Sequence, residues 1–281
     1  TLSLHDALPI SRPRGSGTHQ LRNMPMSLTH KNLESDESLL RYSRQIMLPQ
    51  VGVEGQEKLL NAQILIIGMG GLGAPAALYL TAAGVGQLTL VDFDHVDLSN
   101  LQRQIIHFTG DIDRPKVESA QETLQQINPE VEITTINHQL SDEEMRDQIA
   151  QADLVMDCSD NFTTRFAVNR LCVEQNTTLV SGAAIRMEGQ ISVFRPDLEG
   201  EPCYQCLYKG GGELDESCTQ TGVLAPLVGI IGSMQALEAM KIIMGIGQSL
   251  NGKLMLLDAL SMEWRTMRLP KDPECPVCGP A

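Results

Sequence analysis

Ile64 to Asp94 is the stretch that most narrows what this chain can become. It reads ILIIGMGGLGAPAALYLTAAGVGQLTLVDFD. An apolar run, Ile64 to Ile67, meets Gly68-Met69-Gly70-Gly71-Leu72-Gly73. An Ala- and Leu-rich segment follows, and a second apolar run, Leu88 to Val91, ends at Asp92. The order is strand, glycine loop, helix, strand, acid. Gly68 permits a tight turn, Gly70 lets backbone N–H groups approach a phosphate, and Gly73 lets helix pack close to strand. The helix start offers free N–H groups to an anion. Asp92 stands where a carboxylate meets ribose hydroxyls. The reading is a nucleotide site; the alternative is a tight turn with no ligand.

The rest of the first half repeats strand and helix. Asp36 to Leu48 reads as a short helix with Asp36 as its cap. Leu39, Leu40 and Tyr42 are set to pack, and Arg41 and Arg44 to point outward. Gln56 to Ala62 is a second short helix. Asp94 to Gln104 forms a polar loop directly after the acid-bearing strand. It carries Ser99, Asn100, Gln102 and Arg103 at the sheet's carboxyl edge, where open α/β folds bind ligands. A helix opens at Asp113 to Glu118 with Pro115 in its first turn. Lys116 is disfavoured at a helix N-terminus unless an anion lies near; the alternative is a solvated lysine. Val131 to Ile136 alternates as a strand, and Ser141 to Glu144 is a capping box. Leu154 to Asp157 is a buried strand that delivers Cys158-Ser159-Asp160-Asn161 to the same edge. Phe162 to Gln175 is helical and Thr178 to Ser181 is a strand.

Beyond this point the pattern changes. Gly189 to Phe194, Lys253 to Leu257 and Met262 to Arg268 read as strands without helical partners. The expected fold class is α/β: a Rossmann-like, doubly wound, largely parallel sheet with a mixed or antiparallel C-terminal extension. The long apolar helix near Pro226 to Met244 contains Gln235, Glu238 and Lys241, so it reads as buried rather than membrane-spanning. Residues 1–31 lack any period and read as a disordered or non-native tail, with Met24 or Met26 as a plausible start. Residues 32–281 read as one domain, a nucleotide-binding half over 60–182 and a second half over 183–279.

Net charge is −14, from 21 basic and 35 acidic residues, which argues against nucleic acid or an anionic membrane as the main partner. The seven cysteines are an odd number, and no secretory signal is visible. A reducing, cytoplasmic setting is expected, in which paired cysteines suggest metal rather than disulfides. Cys203-x-x-Cys206 and Cys275-x-x-Cys278 supply four thiolates, a closed tetrahedral shell suited to structural zinc. A redox CxxC is the alternative. Cys158 and Cys172 lie in apolar contexts and read as core. Cys218 stands alone in a polar stretch, either an idle thiol or a nucleophile for an activated acyl group.

A Rossmann-like loop with an acid suggests an oxidoreductase first. Arg103, Lys116, Asp160, Asn100 and Arg44 suit phosphate chemistry better. Arginine and lysine neutralise a triphosphate such as that of ATP, and Asp160 can hold Mg²⁺ against phosphate oxygens. A zinc scaffold that only binds a partner is a third reading.

Taken together, GMGGLG, DFDHVDLSNLQRQ, RPKVESA, DCSDN, SGAAIRMEGQ, EPCYQC and CPVCG resemble the MoeB/ThiF adenylyltransferases, relatives of ubiquitin-activating enzymes, over residues 34–279. The resemblance implies ATP-dependent adenylation of the C-terminal glycine of a small ubiquitin-like sulfur carrier ending in Gly-Gly, with release of pyrophosphate. SGAAIRMEGQ and GEPCYQC look closest to the branch serving the small subunit of molybdopterin synthase in molybdenum cofactor biosynthesis. The thiamine-pathway carrier is the alternative. By the same resemblance, Gly68, Gly70, Gly71, Gly73, Asp92, Asp94 and Ser99 to Arg103 hold the nucleotide, with Lys116 and Arg103 on the phosphates. Asp160, beside Asn161, is the Mg²⁺ ligand, and Cys203, Cys206, Cys275 and Cys278 hold Zn²⁺. Arg44 looks like the arginine that reaches a partner subunit's ATP, which implies a homodimer. Cys218 aligns with a cysteine that some relatives use for thioester or persulfide chemistry. The sequence stops at Ala281, so sulfur is expected from another protein.

Overall fold

In the computed structural model, residues 31–33, 35–208 and 222–279 are described. Five strands build the parallel part: β1 (Gln63–Ile67), β2 (Gln87–Val91), β3 (Glu132–Ile136), β4 (Leu154–Asp157) and β5 (Thr178–Ile185). Three more run antiparallel: β6 (Glu188–Phe194), β7 (Lys253–Asp258) and β8 (Glu263–Arg268). All lie in one eight-stranded sheet of order β3-β2-β1-β4-β5-β6-β7-β8. β1 pairs in parallel with both β2 and β4, so the strand order reverses there, and ligands bind at such switch points. β5 runs past Ser181 to Ile185, longer than expected, because β6 folds back on it as a hairpin.

The helices are α1 (Asp36–Ile46), α2 (Gly52–Leu60), α3 (Gly73–Ala82), α4 (Lys116–Ile127), α5 (Asp142–Gln151), α6 (Phe162–Gln175), the single turn α7 (Tyr204–Leu207) and α8 (Ala225–Met244). The expected capping box of α5 is present: Ser141 and Glu144 satisfy each other's backbone N–H groups. α2 starts at Gly52, earlier than read. α4 begins at Lys116, with Pro115 in the cap position rather than the first turn.

α1 departs from expectation in two ways. Its cap is Ser35, whose side chain accepts the Ser38 N–H, and not Asp36. Leu39 and Leu40 do not pack; Leu40 is 77% exposed. The helix docks through its polar face instead. The Tyr42 hydroxyl accepts from Asn128 Nδ2 at 2.8 Å, and Gln45 donates to Gln56 and to the Ala83 carbonyl.

α8 is long and apolar enough to cross a membrane by length and composition, the one such helix among the described residues. It lies against α3, β5 and β6. Gln235, fully buried on it, donates to the Asp157 carbonyl at 2.9 Å and the Val180 carbonyl at 3.3 Å, and so ties β4 to β5. A Cβ on Gly232 would lie 2.2 Å from the Leu72 carbonyl oxygen, so helix and glycine loop touch backbone to backbone.

Candidate functional site

The loops after β1 and β4 face each other at the switch point. Gly68 has φ +95° and its Cα passes so near the Cys158 carbonyl that a Cβ would sit 2.8 Å from that oxygen. A Cβ on Gly73 would lie 1.9 Å from the Gly68 carbonyl oxygen, which is the close helix–strand approach that the sequence predicts. Gly71 meets Val228 of α8, whereas Gly70 faces open space with only Gln104 Nε2 near, at 3.6 Å.

Asp92 locks this loop to the next strand. Its Oδ2 accepts the Met69 N–H at 2.7 Å and its Oδ1 the Asp94 N–H at 2.9 Å. Burial pushes its carboxyl up, against the pull of Lys116 and the two N–H donors. Lys116 arrives by backbone pairing: Val96 N–H donates to the Arg114 carbonyl and Lys116 N–H to the Asp94 carbonyl. Its side chain is 6% exposed and its Nζ lies 2.8 Å from Asp94 Oδ2. The solvated-lysine alternative is therefore set aside; the anion beside Lys116 is Asp94.

Arg103 follows a short 3-10 turn, Leu98–Asn100, and its Nη1 donates to the Ser99 carbonyl at 3.1 Å. It makes no ion pair among the described residues. Ser99 and Asn100 sit on that turn, Gln102 is exposed, and Gln104 reaches Gly70. On the opposite side, Asp160 is exposed with no hydrogen bond or ion pair among the described residues. Asn161 caps α6 by accepting the Thr164 N–H at 2.9 Å. The structure thus brings the glycine loop, Asp92, Asp94 and Lys116 together, with the Arg103 turn beside them and the Asp160 loop across the crevice. Arg44 is exposed in the last turn of α1, away from any carboxylate partner among the described residues. Cys218 and the loop over 210–216 lie outside the described residues.

The sulfurs of Cys203, Cys206, Cys275 and Cys278 all lie within 4.8 Å of one another. Cys203 and Cys275 are 3.7 Å apart and Cys206 and Cys278 3.4 Å. Thiolates about 2.3 Å from a tetrahedral zinc stand roughly 3.8 Å apart, so the set fits that ion with little adjustment. Asn169 Nδ2 donates to Cys203 Sγ at 3.6 Å and Asp272 N–H to Cys206 Sγ at 3.4 Å, the supporting donors that such ligands require. Burial pushes Cys203 up to about 11, so a cation is what would keep this sulfur a thiolate. Cys158 and Cys172 are buried in the core as expected, their thiols pushed up by burial.

The sequence profile of the ThiF family matches residues 42–277. The chain belongs to the ThiF family. It is 50% identical over 245 residues to the molybdopterin-synthase adenylyltransferase of Escherichia coli K12, covering 87% of this chain and 98% of that protein. The sulfur carrier protein ThiS adenylyltransferase of the same organism is 47% identical over 245 residues, covering 87% of this chain and 97% of its own length. The crystal structure of E. coli MccB with ATP superposes with TM-score 0.75 at 24% identity, over 85% of this chain and 75% of that one, a likeness of fold.

Four residues of this ThiF-family site escaped the sequence reading. His107 lies under the glycine loop, with Nδ1 2.8 Å from Ser119 Oγ and Nε2 3.3 Å from the Met69 oxygen; burial holds its imidazole below the ordinary range. Asp157 and Arg165 are opposite charges, both buried beneath the Asp160 loop with Ser159 between them, and Gln235 holds the Asp157 carbonyl from α8. Asp157 opens the DCSDN stretch, where its hold on Ser159 was not read; the other three are isolated polar residues that only packing brings to the site.

Proposed function

We propose that this chain is an ATP-dependent adenylyltransferase acting on the C-terminal glycine carboxylate of a small ubiquitin-like sulfur carrier. The carboxylate oxygen attacks the α-phosphorus of ATP, the bond to the β-phosphate oxygen breaks, and pyrophosphate leaves as the acyl-adenylate forms. The observation that carries this reading is Lys116, buried at a helix start beside Asp92 and Asp94 and next to a glycine bed. A cation held there serves a polyphosphate. The glycine loop cradles the phosphates with backbone N–H groups, and Asp92 takes the ribose hydroxyls with the lone pairs its N–H donors leave free. Arg103 turns from the Ser99 carbonyl onto the phosphates, and Ser99, Asn100, Gln102 and Asn161 line the same nucleotide. Asp160 would hold Mg²⁺, which neutralises phosphate charge when bound. Zn²⁺ on the four cysteines would be structural, its shell closed by protein sulfur.

Residues 32–281 then act as one adenylation domain. Exposed Arg44 supports a homodimer in which it reaches the partner's nucleotide, and the unpaired buried thiols support a reducing, cytoplasmic setting. The carrier we favour is the small subunit of molybdopterin synthase, with the thiamine-pathway carrier second. The test is ATP–pyrophosphate exchange with each carrier in turn. Exchange dependent on a carrier ending in Gly-Gly is expected, fastest with the molybdopterin synthase subunit. Tight NAD binding with no ATP binding would overturn the proposal in favour of an oxidoreductase.

A further inference from the structure

Arg165 sits on α6, one turn beyond Asp160 and Asn161, and is only 7% exposed. Its Nη2 donates to two carbonyls at once, Ser159 at 2.6 Å and Gly182 of β5 at 3.0 Å. Asp157, the last residue of β4 and 1% exposed, holds Ser159 from the other side: its Oδ1 accepts the Ser159 N–H at 3.1 Å and the Ser159 hydroxyl at 2.6 Å. Its Oδ2 accepts from the Ser181 hydroxyl at 3.0 Å. Ser159 is therefore fixed through its N–H, its carbonyl and its side chain, and the next residue is Asp160, whose carboxylate has no partner among the described residues.

The same helix face reaches the cysteine centre. Four residues along from Arg165, Asn169 Oδ1 accepts the Tyr204 N–H at 2.8 Å while its Nδ2 donates to Cys203 Sγ. Residues so spaced lie one above the other on a helix. The Tyr204 phenol returns to lie beside the Arg165 guanidinium. Phe166 and Tyr204 meet edge to face at 5.7 Å, and Phe162 meets Tyr208 at 5.4 Å, so rings fill the space between the two centres.

Stability alone does not call for this arrangement. Buried opposite charges are often replaced by apolar residues of similar volume at no cost in stability. We propose that Arg165 is a positioning residue for adenylation: it pins the Ser159 carbonyl to β5, and so fixes the direction in which Asp160 presents its carboxylate to the magnesium ion. The inference rests on Asp160 being the magnesium ligand of the proposed function. Outer-shell partners of metal ligands commonly contribute about 10- to 100-fold in metal affinity or activity.

The experiment uses the full chain with its cysteine-bound metal content measured. R165K keeps a charge against Asp157 but loses the fork that spans two carbonyls. D157N/R165M removes both charges while the D157N amide still accepts from Ser159. Two quantities are read for each: the Mg²⁺ concentration that half-saturates binding of a fluorescent ATP analogue, with no carrier present, and the melting temperature. R165K is expected to raise half-saturating Mg²⁺ by about tenfold or more with cysteine-bound metal unchanged. The double variant is expected to melt near wild type yet stay equally weak for Mg²⁺; should R165K not fold, this variant decides. Unchanged Mg²⁺ dependence in both, recovery of Mg²⁺ affinity in step with melting temperature, or wild-type ATP binding indifferent to Mg²⁺ would each overturn the inference. Failure of the wild type to exchange pyrophosphate with any carrier overturns the adenylation reading instead, and the Mg²⁺ measurement still decides the role of Arg165.

Discussion

Arg103 is held by its own turn, through one hydrogen bond to the Ser99 carbonyl, and is half-buried. Its removal should therefore leave the fold alone. Arg103→Ala is expected to slow carrier-dependent pyrophosphate exchange by about 100- to 1,000-fold, the usual loss of one transition-state donor, with an unchanged melting temperature. An undiminished rate removes Arg103 from the mechanism. His107 makes a different prediction. Its folded imidazole binds a proton less readily than in the unfolded chain. The unfolded state therefore takes up more protons below its own value of about 6.5, and stability rises with pH across the window down to the depressed folded value. Stability is complete above that window and lost as pH falls through it. Denaturation midpoints followed from neutral to mildly acid pH should show this slope in the wild type and a flatter one in His107→Gln; equal slopes would rule His107 out as its source. Asp92 and Lys116 were legible in the sequence because strand ends and helix starts fix where such residues stand. Arg165 and His107 were not, since a lone polar residue in a helix or loop reads as solvated until tertiary contacts bury it; Asp157 was read as a strand end, but not as the group that holds Ser159.

The glycine loop and α8 form one packed unit, and two glycines within it should behave differently. A Cβ on Gly71 would come within 2.9 Å of Val228 Cγ2, a side chain that can be trimmed. A Cβ on Gly73 would meet the Gly68 carbonyl oxygen at 1.9 Å, which is backbone. Gly71→Ala is expected to destabilise by about 1–3 kcal/mol, and Val228→Ala in the same chain to recover part of it. Gly73→Ala should be worse, with no recovery from Val228→Ala. Urea denaturation of the three single variants and the two doubles tests this, and additive effects of Gly71→Ala and Val228→Ala would refute the contact. Elements were the most legible level: every strand of the sheet lies within a few residues of a segment read as a strand. α1 shows the limit. Periodicity locates an apolar face on a helix but does not say which face the rest of the chain covers, and here a tyrosine and a glutamine dock while leucines stay outside.

Across the whole molecule, the four cysteines join α7 to the segment after β8, closing the antiparallel half of the sheet on itself. Apparent zinc binding of about 10–16 kcal/mol is comparable with the entire net stability of a typical domain, about 5–15 kcal/mol. Chelation, or Cys275→Ser, is therefore expected to lower the melting temperature steeply and to release one zinc per chain by elemental analysis. A metal-free chain melting with the native one would refute a structural ion. The spacing of the two CxxC pairs made this centre readable before any fold was known; the buried relay from Asn169 to Ser159 was not, because it joins single residues from separate elements. α8 carries one last consequence. It is greasy enough to be taken for a bilayer segment, and Gln235 is the hook that ties it to the sheet. A nascent or heat-shocked chain whose tail has come unfastened would show that surface to the cell, where chaperones and insertion machinery compete for such segments.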